Sequence, residues 1–563
     1  MGVRRAVELV LDASNNTDDP IYTYGPLIHN PQVLTMLEEK GIPVITEIPE
    51  SGSGTVLIRA HGVPPEIVEK LQHAGFTTID ATCPHVIKVQ RIIKKYTQKG
   101  FSTIIIGDDD HPEVIGLNGY ADHKGHVVNS IEELETLPVF DNAIIVAQTT
   151  QNVPFYENVK AWAEKTHPTY KVFDTICSAT EKRQNEIVEM AKSSDVVVVV
   201  GGKNSGNTQR LAELSTQAGR SVFHIEDESE LDLNELTRAK SIAITAGAST
   251  PSWIINRVYK AIELSMMEMD QPHKKIIFDI QQFLLRTNIY LAFGAGCLCY
   301  ACTKLQGISH SLLPSIVAML YILGMHIFNH LTAIHADIYN EPKRAAYYNQ
   351  NKWPLAVFAM AAGATGLFLV SKMGTIPFIL LLIMSILGLS YNLKVIPATL
   401  CQGKYKKLSD IPGSKTVLIA LAWGIVTALL PAISSYGKFS LATIPAFLLS
   451  TGIVFARTVF FDILEMQGDR IAGQKTIPLL LGDKKTIKLL KQILIGLLVI
   501  LPLSSAINMI SSLGYFLCFY PIFMYSVLYA YEKRNVLYSF KLEFLIETHL
   551  ILVGLTAFIW MIV

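Results

Sequence analysis

HKKIIFDIQQFLLRTNIYLAFGAGCLCYACT (273–303) decides the fold, because along it the chain changes solvent. It opens on a basic, amphipathic run and ends in an apolar segment long enough to enter a bilayer. Downstream, charged residues thin out. Upstream, short β-branched runs alternate with amphipathic helical stretches. The 50% hydrophobic and 17% charged residues of the 563-residue chain therefore average two unlike halves.

Downstream, apolar segments recur at roughly 286–303, 310–328, 353–371, 374–391, 415–433, 438–456, 489–507, 512–530 and 543–562. Each reaches or nearly reaches the length that crosses about 30 Å of hydrocarbon. A buried soluble core does not account for so many such stretches with so few charges between them. The expectation is an all-α polytopic membrane bundle of about nine helices. If the first half faces the cytoplasm, the loops after even-numbered helices share that side. They carry Lys343, Arg344, Lys352, Lys394, Lys404, Lys406, Lys407, Lys475, Lys484, Lys485, Lys488, Lys533, Arg534 and Lys541, whereas the opposite loops are short and poorly charged. This is the positive-inside pattern. It predicts a multi-pass protein of the inner (cytoplasmic) membrane, surrounded by lipid.

Upstream, 55–60, 102–107, 142–148, 195–202 and 241–248 read as buried parallel strands, with amphipathic helices at 65–74, 86–99, 181–193 and 207–218 between them. The pattern predicts three small α/β units, roughly 1–85, 86–180 and 181–270. The opening MGVRRAVELVLDASNN turns polar too soon for a signal peptide. Zero formal net charge gives no reason to expect a nucleic-acid partner. Seven thinly spread cysteines argue against a disulfide scaffold.

Reactive residues follow the predicted strands, where open α/β sheets place ligands. They are His29, His61, Cys83, His111, Glu113, Thr149, Thr150, Cys177, Asn204, Ser205, Asn207 and Ser249. Taken singly, each has an ordinary reading as buried filler, surface residue or helix cap. Jointly they make chemical sense as one pocket. Thiolates suit an iron–sulfur cluster. Histidines, hydroxyls and helix amino ends suit a diphosphate. Glu113 suits a proton relay. Glycine in GGKNSGNT (201–208) lets backbone approach an anion, although the loop lacks P-loop spacing.

IHNPQV, AHG, DATCP, HPEV, QTT, GGKNSGNT and TAGAS are similar, in order and spacing, to 4-hydroxy-3-methylbut-2-enyl diphosphate reductases, which act last in the non-mevalonate route of isoprene biosynthesis. The resemblance covers about residues 1–270. It implies three α/β units around a central [4Fe–4S] site, and reductive dehydroxylation of the substrate to isopentenyl and dimethylallyl diphosphates. It implies Cys83 and Cys177 as cluster ligands. His29, His61, His111, Asn204, Ser205, Gly206, Asn207 and Ser249 become diphosphate contacts. Glu113 becomes the proton donor, helped by Thr149 or Thr150. The electrons are expected from ferredoxin or flavodoxin. Gly206 stands where many relatives have serine, and its backbone N–H still serves a phosphate. The family's first cysteine lies in a Gly-Phe-Cys sequence immediately before the segment matching MGVRRAV. The expectation is that the coding start lies upstream and supplies it.

Two loops of the second half carry chemistry. In ARTVFFDILEMQGDRIAGQKTIPLLLGDKKT (456–486), Asp462, Glu465 and Asp469 recur at helical spacing. Clustered carboxylates suit Mg²⁺ bridging to diphosphate, with Arg470 and Lys475 taking the remaining phosphate charge. The other loop, HIFNHLTAIHADIYNEPKRAAYY (326–348), offers Asn329, Asp337 and Glu341. Here the chain resembles the 4-hydroxybenzoate polyprenyltransferase superfamily, over about 285–563. The GDRxxGxxTxPLxLG pattern is close. In the first motif His330 and Thr332 occupy places expected to be acidic, and Asp337 and Glu341 are the substitutes. The resemblance implies that Mg²⁺ draws off diphosphate and an acceptor traps the allylic cation. Cys297, Cys299 and Cys302 read as helix packing.

The expected domains are thus 1–275, a linker at 276–284, and 285–563. Two further readings remain: a cluster-less diphosphate-binding or scaffolding module on a membrane prenyltransferase, and a reductase on an inert anchor.

Overall fold

The computed structural model describes all residues except Met1, Asp18, Thr237, 270–271, Ala333, 392–406 and 534–538. Lys394, Lys404, Lys406 and Arg534 of the charge pattern fall outside the described residues. The chain divides into two compact units, Met1–Met266 and Met267–Val563.

The first unit contains three wholly parallel sheets. The first orders β1 (Ile21–Tyr24), β2 (Val44–Ile45), β3 (Thr55–Ile58) and β4 (Thr77–Asp80) as β2-β1-β3-β4. The second orders β5 (Ser102–Ile106), β6 (His126–Val128), β7 (Ala143–Ala147) and β8 (Lys171–Val172) as β6-β5-β7-β8. The third places β9 (Val196–Val200) between β10 (Ser221–Ile225) and β11 (Ile242–Ala246). Central strands are apolar on both faces because helices cover both. β7 and β9 are buried at every residue. Thr23 pairs with Leu57, Ile104 with Ile145 and Val198 with Ile244. All five expected strands are present. The edge strands β2, β6 and β8 are only two or three residues long.

The second unit is all-α. Seven of its described helices are long and apolar enough to cross a membrane. They are Leu312–Thr332, Lys352–Ser371, Ser414–Tyr436, Thr443–Leu464, Asp483–Ala506, Leu513–Glu532 and Phe540–Ile562. An eighth is counted if Ile276–Arg286 and Ile289–Leu305, bent by 73°, form one span. The remaining expected segment is the shorter apolar helix Thr375–Leu389. The expected linker lies within helix Pro272–Arg286. Small residues permit close helix approach. A Cβ on Gly554 would stand 2.6 Å from Cys297 Cβ. Cys299 and Cys302 are buried in the same packing.

Two stretches read as loops are helical. The first folds into Ile334–Asn340 and Pro342–Gln350. In the second, the span continues through Arg457 and Asp462 to Leu464, and Met466–Ile471 follows after a break at Glu465. Asp462 and Asp469 therefore lie on two helices, not one. Gly468 lets the second pack tightly, since a Cβ there would meet the Asn340 side chain.

Candidate active sites in the two units

In the first unit the ends of eight strands supply the chemistry. His29, His61, Cys83, His111, Thr149, Cys177, Ser205 and Ser249 each follow a strand by a few residues. Backbone bonds fix these positions. Cys83 N–H donates to Ala60 O and Cys177 N–H to Thr149 O, both at 2.9 Å. Cys83 and Cys177 cap helices Pro84–Thr97 and Ser178–Ser193 without a side-chain cap bond.

The three histidine rings converge. Centroids lie 4.7 Å apart for His29–His61, 5.6 Å for His61–His111 and 6.0 Å for His29–His111. They line one cavity with Glu113, Thr150, Ser205, Gly206, Asn207 and Ser249. His111 Nδ1 accepts from Glu113 N–H at 3.1 Å, so its Nε2 carries any ring proton. Burial, then the neighbouring histidines, pushes His61 well below its ordinary value. Burial, then His29, lowers His111 to about 4. Both rings are neutral near pH 7. Asn207 Oδ1 and Nδ2 and His61 Nδ1 are buried without a hydrogen-bond partner among the described residues. Such orphaned groups are costly unless a ligand satisfies them. Ser249 Oγ contacts Ser205 Oγ at 3.3 Å.

Glu113 is 2% exposed, and burial raises its carboxyl to about 7. The two threonines separate. Thr149 binds Glu113 through both its N–H and its hydroxyl, whereas Thr150 lines the cavity and accepts from Gln148 Nε2 at 3.1 Å. Asn204 is exposed and does not line the cavity. A Cβ on Gly206 would meet nothing within 4 Å.

In the second unit another cavity gathers Asn329, Asp337, Asp462 and Glu465 with Lys415, Arg457 and Glu547. Glu341, Asp469, Arg470 and Lys475 do not line it. Asp462 Oδ2 accepts from Thr416 at 2.8 Å, Asp337 Oδ2 contacts His330 Nδ1 at 2.7 Å, and Asp469 Oδ1 accepts from Asn340 at 3.1 Å. Burial, then Asp462 and Glu465, raises Asp469 well above the ordinary carboxylate range. Among the described residues no group of three or more His, Cys, Asp or Glu is arranged to hold a metal ion. Sequence reasoning missed the ion pairs Arg344–Glu543, at 2.7 Å, and Arg457–Glu547. Charge within an apolar span already marks Arg457 in the sequence, and the same signal would have found its partner Glu547 and Glu543.

A three-sheet α/β unit with histidines, a buried acid and two cap thiols at its strand ends is a ligand-binding scaffold. Residues 1–263 match the LytB protein family, and residues 290–545 the UbiA prenyltransferase family. The 4-hydroxy-3-methylbut-2-enyl diphosphate reductase of Alkaliphilus oremlandii is 43% identical over 263 residues, 46% of this chain and 94% of that protein. The reductase of Caldanaerobacter subterraneus is 41% identical over 266 residues, 46% of this chain and 92% of its own length. An Aeropyrum pernix UbiA homolog covers 48% of this chain and 98% of its own at 13% identity, with a TM-score of 0.38. The chain belongs to the LytB family of 4-hydroxy-3-methylbut-2-enyl diphosphate reductases and carries a UbiA-type prenyltransferase domain in its membrane half. It joins a reductive dehydroxylation to a prenyl-transfer reaction.

Proposed function

We propose that the strand-end cavity of the first unit binds the substrate diphosphate through His29, His61, His111, Ser205, Gly206, Asn207 and Ser249, with Glu113 as proton donor. The observation that carries this is the convergence of three histidine rings with a buried, near-neutral carboxyl and the orphaned Asn207 amide. Thr149 holds Glu113, and Thr150 faces the substrate. The net change adds two electrons and two protons, breaks the allylic C–O bond and releases water. Glu113 supplies one proton.

The half-buried thiols of Cys83 and Cys177, neither engaged in a side-chain cap bond, are the proposed protein ligands of a [4Fe–4S] cluster. Bound there, it would supply the electrons and an iron to receive the hydroxyl. Gly2 lies against the Cys83 thiol, so a ligand just ahead of that helix would stand at the same cluster. Ferredoxin or flavodoxin is the proposed electron source.

In the membrane half, Asp337, Asp462 and Glu465, which share one cavity, are the proposed Mg²⁺ ligands for a prenyl diphosphate, and Asn329 is its proposed contact. Glu341, Asp469, Arg470 and Lys475, which lie outside that lining, are proposed to act on the diphosphate only if it reaches beyond the cavity. The juxtaposition of Asp337, Asp462 and Glu465 on one cavity supports this. Mg²⁺ would neutralise the departing diphosphate. The basic loops support placing the first unit in the cytoplasm. The proposed domains are 1–275 and 285–563.

The test is anaerobic turnover of 4-hydroxy-3-methylbut-2-enyl diphosphate by the iron- and sulfide-reconstituted full chain, with methyl viologen as reductant. Isopentenyl and dimethylallyl diphosphates are expected, and their loss in Glu113→Gln. Diphosphate binding with no turnover would reduce this half to a binding module.

A further inference from the structure

Helix Pro84–Thr97 starts at Cys83 and buries Val86, Val89, Gln90 and Ile93. Its other face presents Lys88, Arg91 and Lys95, at steps of three and four, all exposed. From Pro84 to Lys99 the chain has five Lys or Arg and no Asp or Glu. Lys94 and Lys95 occupy the last turn, where the helix dipole favours cations. That does not account for Lys88 and Arg91, which lie further upstream. Neither makes an ion pair with a described residue.

A second helix brings more positive charge to the same point. Gly2–Asn16 carries Arg4 and Arg5 in its first turn, where the dipole disfavours them. Arg4 pairs with Glu8 at 2.8 Å. Arg5 instead donates to Thr82 O at 3.2 Å, next to Cys83, and is exposed. Two helices therefore meet at Cys83, and Lys88, Arg91 and Arg5 on them form no ion pair with a described residue, whereas Arg4 is paired with Glu8. Helix stability does not explain the arrangement, but attraction of an acidic surface does.

We propose that the exposed face of Pro84–Thr97, together with Arg5, is the docking surface for an acidic one-electron carrier protein delivering electrons beside Cys83. This rests on the reductase reading. A carrier seated there meets the patch by charge and reaches the proposed cluster through the helix that Cys83 caps. Each turnover oxidises two reduced one-electron carriers; with two protons their electrons cleave the substrate's C–O bond, the oxygen leaves as water and a C–H bond forms.

The test uses the reconstituted full chain in detergent with an acidic two-cluster bacterial ferredoxin. Surface plasmon resonance reads its affinity at low and high salt. Lys88→Glu with Arg91→Glu weakens binding by about tenfold or more at low salt and flattens the salt dependence. Lys88→Arg with Arg91→Lys restores both, and methyl viologen-driven turnover is the same in all three proteins. Equal ferredoxin affinity in wild type and the charge-reversed protein overturns the proposal. So does a loss confined to binding of phosphatidylglycerol vesicles, which assigns the patch to the lipid surface. Absence of methyl viologen-driven turnover in the wild type overturns the reductase reading, while the binding measurement still judges the surface.

Discussion

Thr149 grips Glu113 twice, its N–H donating to Oε1 at 2.7 Å and its hydroxyl to Oε2 at 2.9 Å. Both bonds favour the carboxylate, yet burial outweighs them and the carboxyl stands at about 7. It is protonated often enough at neutral pH to act as an acid. Thr149→Val removes one anion-stabilising bond, so the alkaline limb of the turnover–pH profile moves upward. Glu113→Gln removes the limb and lowers turnover by about 10²–10⁴-fold. A profile with the same limb in Glu113→Gln would assign the proton to another group.

The same carboxyl links stability to pH. Its folded pKa lies above the ordinary carboxyl value of 4.5, so its contribution is full below that value and is lost as pH rises through about 7. Glu113→Gln should flatten the fall in stability across that window, measured by denaturant unfolding of the purified protein. The histidines act in the opposite sense. His111, depressed to about 4, contributes stability above the ordinary histidine value of 6.5 and loses it as pH falls toward 4.

Inorganic diphosphate should raise the His111 value, because an anion favours imidazolium over burial's preference for the neutral ring. Ring-proton NMR titrations with and without diphosphate measure the shift. An unchanged titration would separate the histidine cluster from anion binding.

How much of this was legible follows from the physics of each part. β5, β7 and β9 were readable because their β-branched runs are buried on both faces. β2, β6 and β8 were not, because two or three residues carry no period. The post-strand position of His29, His61 and His111 could be read, but their mutual approach within 6.0 Å depends on packing three sheets and is absent from any spacing. In the membrane half, continuous helical periodicity suggested one helix for Asp462, Glu465 and Asp469. Local propensity did not reveal the break at Glu465, which accompanies tight packing of Gly468 on Asn340.

Open space at position 206 predicts that Gly206→Ser is accepted with a stability change within about 0.5 kcal/mol. Gly247→Ala is the contrasting case, since its Cβ would fall 2.0 Å from Thr208 Oγ1. It should cost about 1–3 kcal/mol as overpacking. Thermal unfolding of the two proteins side by side distinguishes them.

Arg457 and Glu547 form a buried pair between spans Thr443–Leu464 and Phe540–Ile562. Removing one partner strands the other, so Arg457→Ala or Glu547→Ala alone should destabilise by about 3–5 kcal/mol. Arg457→Ala with Glu547→Ala together should cost less than the sum of the single changes. A double-mutant cycle in detergent measures the coupling, and strict additivity would mean that the pair contributes no mutual energy.

The contact between Gly2 and the Cys83 thiol makes the amino end of the first helix a testable ligand position. Placing Gly-Phe-Cys ahead of Met1 should raise iron and sulfide toward about four of each per chain after anaerobic reconstitution, with a [4Fe–4S] EPR signal on reduction. Gly-Phe-Ser is the control, because it extends the helix equally without a thiolate. A gain with cysteine but not serine would assign the third ligand to that position, since cluster retention depends on the thiolate itself. Equal iron in both proteins would mean that Cys83 and Cys177 hold the cluster with a group elsewhere in the unit.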